Sequence, residues 1–310
     1  MKTPSWFLKK NLIAFALLPF AGVYYIASKI VFWSRLFRQK TSKRPVICVG
    51  NILAGGVGKT PIVREIAKRL NAPVIMRGYK RHKAYGIRHN YLGDEGEMLK
   101  SSGIDVYVGN RSDNIKKLNN KKCHMPYALC PIILDDGFQN PTIKKDLSIV
   151  VFDGKIGVGN GFILPAGPLR EGFSALKRAD AVMIVNRDKW TPKTNLPIFD
   201  VKTESVNPGL SGKVFLFAGI GFPDKFFASA GKLKGINVVG RQSFSDHYNY
   251  TENDLEKILD AAESCSATYI ATTEKDWVRL PKKYQEMIDF IPLKTTIDKR
   301  FWTWLTAQKL

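Results

Sequence analysis

The sequence predicts an α/β fold of two domains that follow an N-terminal helix. A glycine-rich turn stands between an apolar run and an amphipathic helical pattern, and short apolar runs continue to alternate with helical patterns after it. The length of 310 residues fits about two domains. With 45% hydrophobic and 24% charged residues, the composition is that of a globular protein and excludes a disordered or fibrous chain.

Residues 1–44 are both basic and apolar, which predicts a membrane-anchoring helix. They carry nine Lys and Arg side chains but no acid, and the first acid of the chain is Glu65. Residues 11–28 are uncharged and rich in aromatic side chains. Aromatic residues beside an apolar run that is flanked by Lys and Arg are typical of membrane interfaces.

Three interpretations of this anchor compete. A cleaved signal peptide is disfavoured because no small-residue cleavage site follows residues 11–28. As a helix, this run would span about 27 Å, slightly short of a ~30 Å hydrocarbon core, and Pro19 interrupts it. A single span and a peripheral helix lying in the interface therefore both remain open. If the helix spans, the basic residues after the run place the bulk of the protein on the cytoplasmic side.

The glycine-rich turn has the features of a phosphate-binding loop. Residues 46–52 read as a buried strand, and the helix that follows begins with Lys59, Thr60 and a proline, which is tolerated in a first helical turn. In such a loop the backbone N–H groups face phosphates, the Lys reaches the outer phosphates, and the Thr ligates Mg²⁺. The predicted nucleotide-binding residues are Gly55, Gly56, Val57, Gly58, Lys59 and Thr60. Leu53 stands where the usual pattern has its first Gly. The alternative is a chance glycine turn.

Two acids follow a second apolar run. Residues 131–134 read as a short strand, and Asp135 and Asp136 come directly after it. Ligands of open α/β sheets bind at the carboxyl ends of the strands, where a phosphate-loop enzyme places its second magnesium anchor. We therefore predict Asp135 and Asp136 as metal ligands, with an Asp-Gly turn as the structural alternative.

These patterns predict a phosphate-loop NTPase-like parallel-sheet domain and a second, smaller α/β domain. The predicted divisions are an anchor at 1–44, the phosphate-loop domain at 45–190, a linker at 191–212 and the C-terminal α/β domain at 213–310. Further apolar runs predict strands at 147–152, 181–185, 213–217, 238–239, 269–272 and 291–293.

Seven short strings, read in order, resemble one family. They are GNILAGGVGKTP at 50–61, RGY at 77–79, GDE at 93–95, LDDGFQ at 134–139, LPAGPLRE at 164–171, SDH at 245–247 and TEKD at 273–276. The chain resembles the tetraacyldisaccharide 4′-kinase (LpxK) family of lipid A biosynthesis over nearly its whole length. The LDDGFQ and LPAGPLRE strings are far more specific than a phosphate-binding loop alone.

The resemblance implies a reaction and its partners. The implied activity is transfer of the γ-phosphate of ATP to the 4′-hydroxyl of a tetraacyldisaccharide 1-phosphate, with Mg²⁺, in a fold of two α/β/α domains. It also implies a location at the cytoplasmic face of the inner membrane, with a peripheral or single-span anchor. The expected partners are the lipid disaccharide and anionic lipids of the membrane surface, and no nucleic acid.

The resemblance also assigns roles to individual residues. Asp94, in GDE, resembles the general base for the attacking hydroxyl, and His247, in SDH, resembles the residue that supports it. Lys59 is the third catalytic residue expected, because it neutralises phosphate charge. The alternatives are that Asp94 caps a helix at residues 95–100 and that His247 is an ordinary loop histidine.

Two arginines and one departure complete the expected site. Arg111 and Arg170 are candidates for neutralising the transferred phosphoryl group or for binding the lipid phosphate. The solvated arginine is the alternative for each. The family string continues as DDGFQH, whereas Asn140 follows DDGFQ here. Asn does not titrate near neutral pH, so only a structural role would survive at this position.

Two other function classes compete with the kinase. The first is a membrane-associated phosphate-loop ATPase that acts as a switch or targeting factor and would turn over ATP without lipid. The second is a basic nucleic-acid-binding protein, which relies on the net charge of +21 alone. The chain has no recognisable recognition helix or RNA-binding motif, and its N-terminal aromatics lie in an apolar run instead of a polar basic groove.

Overall fold

The computed structural model describes residues 4–77, 92–121 and 130–308. The chain divides into two compact units: the first comprises residues 3–202 and 295–310, and the second comprises residues 203–294. Gly78 and Tyr79 of the RGY string lie outside the described residues.

An eight-stranded sheet forms the centre of the first unit. Its strands are β1 (Val46–Gly50), β2 (Val74–Met76), β3 (Val106–Val108), β4 (Ile132–Asp135), β5 (Leu147–Asp153), β6 (Ala181–Val185), β7 (Ile198–Ser205) and β12 (Leu293–Ile297). Their order is β12-β7-β6-β5-β1-β4-β2-β3, and the six pairings from β7 to β3 are parallel. The central strands are buried along their whole length, as expected of a parallel sheet covered on both faces. The predicted α/β fold with a mostly parallel sheet is therefore confirmed.

Helices connect these strands. The first unit contains α1 (Leu12–Ala16), α2 (Leu18–Leu36), α3 (Lys59–Leu70), α4 (Gly93–Ser101), α5 (Arg111–Asn120) and α10 (Lys299–Ala307). α3 buries Ile62, Val63, Ile66 and Ala67, whose spacing places them on one face of the helix. This buried stripe fixes the first turn of α3 beside the end of β1, where the glycine-rich loop lies.

The N-terminal apolar run is divided into two helices. α1 ends at Ala16, and α2 begins at Leu18 with Pro19 in its first turn, because a residue without an N–H is tolerated there but not inside a helix. Within residues 4–77, 92–121 and 130–308, no helix has both the length and the apolar character needed to cross a bilayer. The predicted single-span anchor, and the inner-membrane location that depended on such an anchor, are therefore wrong.

The second unit is a smaller parallel α/β structure. Its strands β8 (Gly212–Ala218), β9 (Ile236–Ser243), β10 (Tyr269–Thr273) and β11 (Asp289–Ile291) pair in parallel in the order β11-β10-β8-β9. Its helices are α6 (Pro223–Ala230), α7 (Glu252–Ser264), α8 (Glu274–Trp277) and α9 (Lys282–Gln285). β8 separates two buried apolar clusters, because Val214 and Leu216 face one and Phe215 and Phe217 face the other.

The two units differ in extent from the divisions predicted above. The predicted linker at 191–212 contains β7, which pairs with β6 in the large sheet. The predicted strand at 291–293 is instead two strands, β11 and β12, which belong to different sheets and are separated by Pro292. Residues 295–310 return to the first unit, where Phe301 and Leu305 of α10 join the core.

Candidate active site

The glycine-rich loop connects β1 to α3. Gly55 and Gly58 have φ angles of 112° and 77°, a region that residues with a side chain rarely adopt. Gly58 is the N-terminal cap of α3, Lys59 is the first residue of the helix and Thr60 the second. The N–H groups of a first helical turn have no partner within the helix, so this loop and helix end suit an anion such as phosphate.

The loop is held from one side by the LPAGPLRE string. The amide of Ala54 donates to the carbonyl of Pro168 at 2.7 Å. Leu53 forms an antiparallel bridge with Leu169, and its side chain is buried. The departure from the usual loop pattern at position 53 therefore has a structural reason, because this Leu joins the loop to the core.

The DDGFQ string contacts the end of β1, where the glycine-rich loop begins. Gly50 lies so close to Phe138 that a Cβ at position 50 would be 2.6 Å from the Cβ of Phe138. The side-chain amide of Gln139 donates to the carbonyl of Asn51 at 2.6 Å. These contacts fix the end of β1 against the turn that carries the two aspartates.

Asp136 is bound by two cations. Its Oδ1 lies 3.3 Å from the ammonium group of Lys59, and its Oδ2 accepts a 3.1 Å hydrogen bond from Nη1 of Arg170. Burial alone would raise the pKa of Asp136, but the charges of Lys59 and Arg170 outweigh burial and lower this pKa below its ordinary value. The structure thus brings together three of the predicted site residues in one ionised cluster.

Asp135 is in a different environment, although it is the preceding residue. Its side chain is 4% exposed, and its Oδ1 has no hydrogen-bond partner among the described residues. Burial and, second, the negative charge of Glu95 raise the pKa of Asp135 to about 7. Sequence reasoning treated Glu95 only as part of a helix, although its place in the GDE string was a signal. A buried carboxylate oxygen without a donor is a position that a cation would satisfy.

Arg111 binds the backbone of the two adjacent aspartates. Its Nη2 donates to the main-chain carbonyls of Asp135 at 3.1 Å and Asp136 at 3.0 Å. The residue is 8% exposed, and burial lowers the pKa of its guanidinium. This geometry favours a positioning role for Arg111, because its hydrogen bonds go to the backbone that carries the carboxylates.

Arg170 is followed by a buried acid that sequence reasoning did not single out. Glu171 is 6% exposed and accepts two hydrogen bonds from Arg178 at 2.8 and 2.9 Å. Its Oε2 also lies 3.7 Å from the ammonium group of Lys29 in α2. The Arg178 guanidinium lies over the ring of Phe32, also in α2, at 4.7 Å. We call these four residues, Lys29, Phe32, Glu171 and Arg178, the α2 clasp.

Asp94 lies in the first turn of α4, which begins at Gly93. The N-terminal cap of α4 is Leu92, whose side chain makes no capping hydrogen bond. Asp94 is therefore not the N-cap residue itself and lies in the first turn next to Glu95.

Asn140 has a structural role. Its side-chain Oδ1 accepts from the amide of Thr142 at 2.9 Å, and its carbonyl accepts from the ammonium group of Lys145 at 2.7 Å. An Asn that closes a turn in this way needs no titratable group. This observation supports the structural interpretation of position 140.

His247 lies in the second unit, whereas the residues described above lie in the first. It has a φ of 57° and an exposed side chain, and its Nε2 lies 3.2 Å from the ammonium group of Lys275. Across residues 4–77, 92–121 and 130–308, no three side chains of His, Cys, Asp or Glu converge into a metal site.

Comparison with known proteins identifies close relatives. The family model for LpxK, tetraacyldisaccharide-1-P 4′-kinase, matches residues 13–309. The tetraacyldisaccharide 4′-kinase of Rhodospirillum rubrum is 34% identical over 326 residues, covering 96% of this chain and 95% of the relative. The enzyme of the same description from Paramagnetospirillum magneticum is 36% identical over 312 residues, covering 91% of this chain and 90% of the relative.

A solved structure has the same fold. The crystal structure of LpxK from Aquifex aeolicus in complex with ATP superimposes with a TM-score of 0.72 at 24% identity, covering 96% of this chain and 99% of that one. At this identity the likeness concerns the fold, and the sequence relatives carry the family assignment.

Proposed function

The chain belongs to the tetraacyldisaccharide-1-P 4′-kinase (LpxK) family, and we propose that it transfers the γ-phosphoryl group of ATP to the 4′-hydroxyl of a tetraacyldisaccharide 1-phosphate. In this reaction the hydroxyl oxygen forms a bond to the γ-phosphorus, the bond from that phosphorus to the β-phosphate oxygen breaks, and ADP leaves. The hydroxyl proton passes to a carboxylate of the protein.

The observation that carries this proposal is the cluster of Lys59, Asp136 and Arg170 at the end of the glycine-rich loop. The loop and the first turn of α3 offer N–H groups to the phosphates of ATP, and Lys59 adds a full positive charge. Arg170 lies beside the same aspartate and would neutralise charge that develops on the transferred group. We assign this chemistry to the domain at 45–190.

The residues present suit Mg²⁺. The ion prefers oxygen ligands and is commonly held by one or two carboxylates together with substrate phosphates and water. Asp135, Asp136 and the hydroxyl of Thr60 supply such oxygens, and Oδ1 of Asp135 is buried without a donor. When bound, Mg²⁺ would neutralise negative charge on the β- and γ-phosphates.

We assign the proton transfer to Asp94 and its support to His247. Asp94 stands in the first turn of α4. An ionised carboxylate is the form that can accept the hydroxyl proton.

One experiment tests the proposal directly. The full-length protein in detergent is incubated with γ-labelled ATP, Mg²⁺ and a tetraacyldisaccharide 1-phosphate, and label is followed in the lipid fraction. We expect label in the lipid, and none with Lys59→Ala. ATP hydrolysis that proceeds equally without lipid, with no labelled lipid, would instead indicate a phosphate-loop ATPase switch.

A further inference from the structure

The TEKD string at 273–276 has no role in the chemistry described so far. It begins with the last residue of β10 and continues into α8. Its Asp276 is fully buried, with 0% exposure, and its carboxylate has four partners: three hydrogen-bond donors and one guanidinium that forms an ion pair. These are the amide of Gly219 at 3.1 Å, the hydroxyl of Tyr250 at 3.0 Å, the hydroxyl of Thr273 at 2.6 Å and the guanidinium of Arg279 at 3.1 Å.

These donors connect Asp276 to the loop that carries His247. Arg279, whose side chain is 5% exposed, donates through Nη1 to the carbonyl of Tyr248 at 2.9 Å. The amide of His247 itself donates to the carbonyl of Gly219 at 3.1 Å. Residues 247–250 are therefore held at three points within the unit: the amide of His247, the carbonyl of Tyr248 and the hydroxyl of Tyr250.

His247 needs such fixation. Its φ of 57° is in the left-handed region, which costs a residue with a side chain free energy that the surrounding contacts must supply. Because these hydrogen bonds hold the backbone on both sides of His247, they also determine where its Cβ points.

The residue before Asp276 then contacts the imidazole. The ammonium group of Lys275 lies 3.2 Å from Nε2 of His247 and 3.8 Å from Oδ1 of Asp246. An ammonium group only donates, so a hydrogen bond from Lys275 requires Nε2 as the acceptor, which is the ring form with its hydrogen on Nδ1. Lys275 therefore selects both the orientation and the tautomer of the ring.

We infer that the TEKD string is the positioning element of His247: Asp276 and Arg279 fix its backbone, and Lys275 orients its imidazole so that Nδ1–H is the donor. The inference rests on the proposed function, in which His247 supports the base. The tautomer decides whether Nδ1 of His247 can donate or accept a hydrogen bond, so it is a direct readout of this positioning.

The test uses the full-length protein and the variant Lys275→Met, which keeps the length of the side chain but has no donor. Lys275→Arg keeps a donor, and Lys232→Met removes an exposed lysine of the same unit as a matched control. Each is measured for kcat and for the KM of ATP, alone and combined with His247→Ala. The nitrogen shifts of His247 are recorded by ¹⁵N NMR after labelling of the four histidines and assigned with His247→Gln.

We expect Lys275→Met to lower kcat about 10- to 100-fold with the KM of ATP unchanged, since misplacement of a supporting group affects the chemical step. Lys275→Arg should recover most of this loss, and Lys232→Met should have no effect. With His247→Ala already present, Lys275→Met should cost nothing further. The NMR shifts should move from the Nδ1–H tautomer toward Nε2–H.

Two results would overturn the inference. If Lys275→Met loses the same factor with and without His247, Lys275 acts on another group, for example a substrate phosphate. If the tautomer is unchanged, Lys275 does not orient the ring. The proposed function would fail through different results. A normal kcat of His247→Ala would exclude a catalytic role of His247, and a lipid fraction without label would exclude the kinase activity. In both cases the tautomer of His247 would still report on Lys275.

Discussion

The ammonium group of Lys59 and the carboxylate of Asp136 form an ion pair at 3.3 Å, and Arg170 binds the other oxygen of the same carboxylate. Asp136 thus has two cationic partners. If Lys59 turned toward a phosphate, Arg170 would still pair with the carboxylate of Asp136.

Replacing Lys59 by Ala should abolish measurable phosphoryl transfer, a loss of at least ~10²-fold, because no other side chain of the loop carries a charge to the outer phosphates. The fold should persist, since Arg170 remains on Asp136. Transfer of label to lipid and the melting temperature measure the two effects. Near-normal activity would show that the loop does not hold the nucleotide.

Replacing Asp94 by Ala should lower kcat by about 10² to 10⁴, or about 3 to 5.5 kcal/mol in activation free energy, with the affinity for ATP nearly unchanged. Asp113→Ala is the control, because Asp113 also lies in the first turn of a helix but is exposed in α5. If Asp94→Ala instead costs ~1 kcal/mol of stability and leaves kcat intact, Asp94 serves only its helix.

The stability of the nucleotide-free protein should fall as pH rises toward 7. The pKa of Asp135 is raised to about 7, so between about pH 4 and 7 the folded state binds more protons at this group than the unfolded state. From about pH 5 to pH 8 this group should reduce the free energy of unfolding by on the order of 2 to 3 kcal/mol. Denaturant unfolding at both pH values measures this change in the free energy of unfolding. Asp135→Asn should remove the part of the change that comes from this group.

Mg²⁺ should reverse this loss. A cation competes with the proton for Asp135, so Mg²⁺ should raise the free energy of unfolding more at about pH 8 than at about pH 5. Asp135→Asn, which has no ionised oxygen, should respond little at either pH. An equal response of both proteins would place the ion elsewhere.

The two arginines should differ in what they affect. Arg111→Met leaves two main-chain carbonyls without their donor and should lower the free energy of unfolding by roughly 2 kcal/mol or more. Arg170→Met breaks a partly exposed pair and should change stability by ~1 kcal/mol or less, but should reduce kcat by ~10² or more. Urea unfolding measures the loss of stability, and kcat measures the loss of activity. A large loss of stability for Arg170→Met together with a large loss of kcat for Arg111→Met would exchange the two roles.

The sequence predicted the parts of the fold in which local pattern and tertiary environment agree. β1, β4 and β6 are buried on both faces, so they appear as continuous apolar runs. β7 was missed because it alternates buried and exposed residues through Asp200 and Lys202, next to a stretch that resembles a linker. The return of α10 to the first unit is a long-range contact, which no local periodicity specifies.

For the candidate site, the sequence identified residue types but not environments. Asp135 and Asp136 are adjacent and chemically identical, yet the pKa of one is raised and that of the other is lowered. Burial and the charge of Glu95 raise the pKa of Asp135, whereas Lys59 and Arg170 lower that of Asp136, and these partners are far away in the chain. Arg111 and Glu171 were difficult for the same reason, since charged residues are seldom buried and their partners are seen only after folding.

The α2 clasp has a consequence for how experiments on this protein are interpreted. Shortening the chain to beyond residue 36 would remove Lys29 and Phe32, and Glu171, next to Arg170, would lose one of its two cations. Such a truncation therefore also alters contacts of the LPAGPLRE string, which holds the glycine-rich loop. An N-terminally shortened protein that loses activity has either lost its N-terminal helices or lost the ion pair between Lys29 and Glu171. Only Lys29→Met in the full-length chain tells these two defects apart.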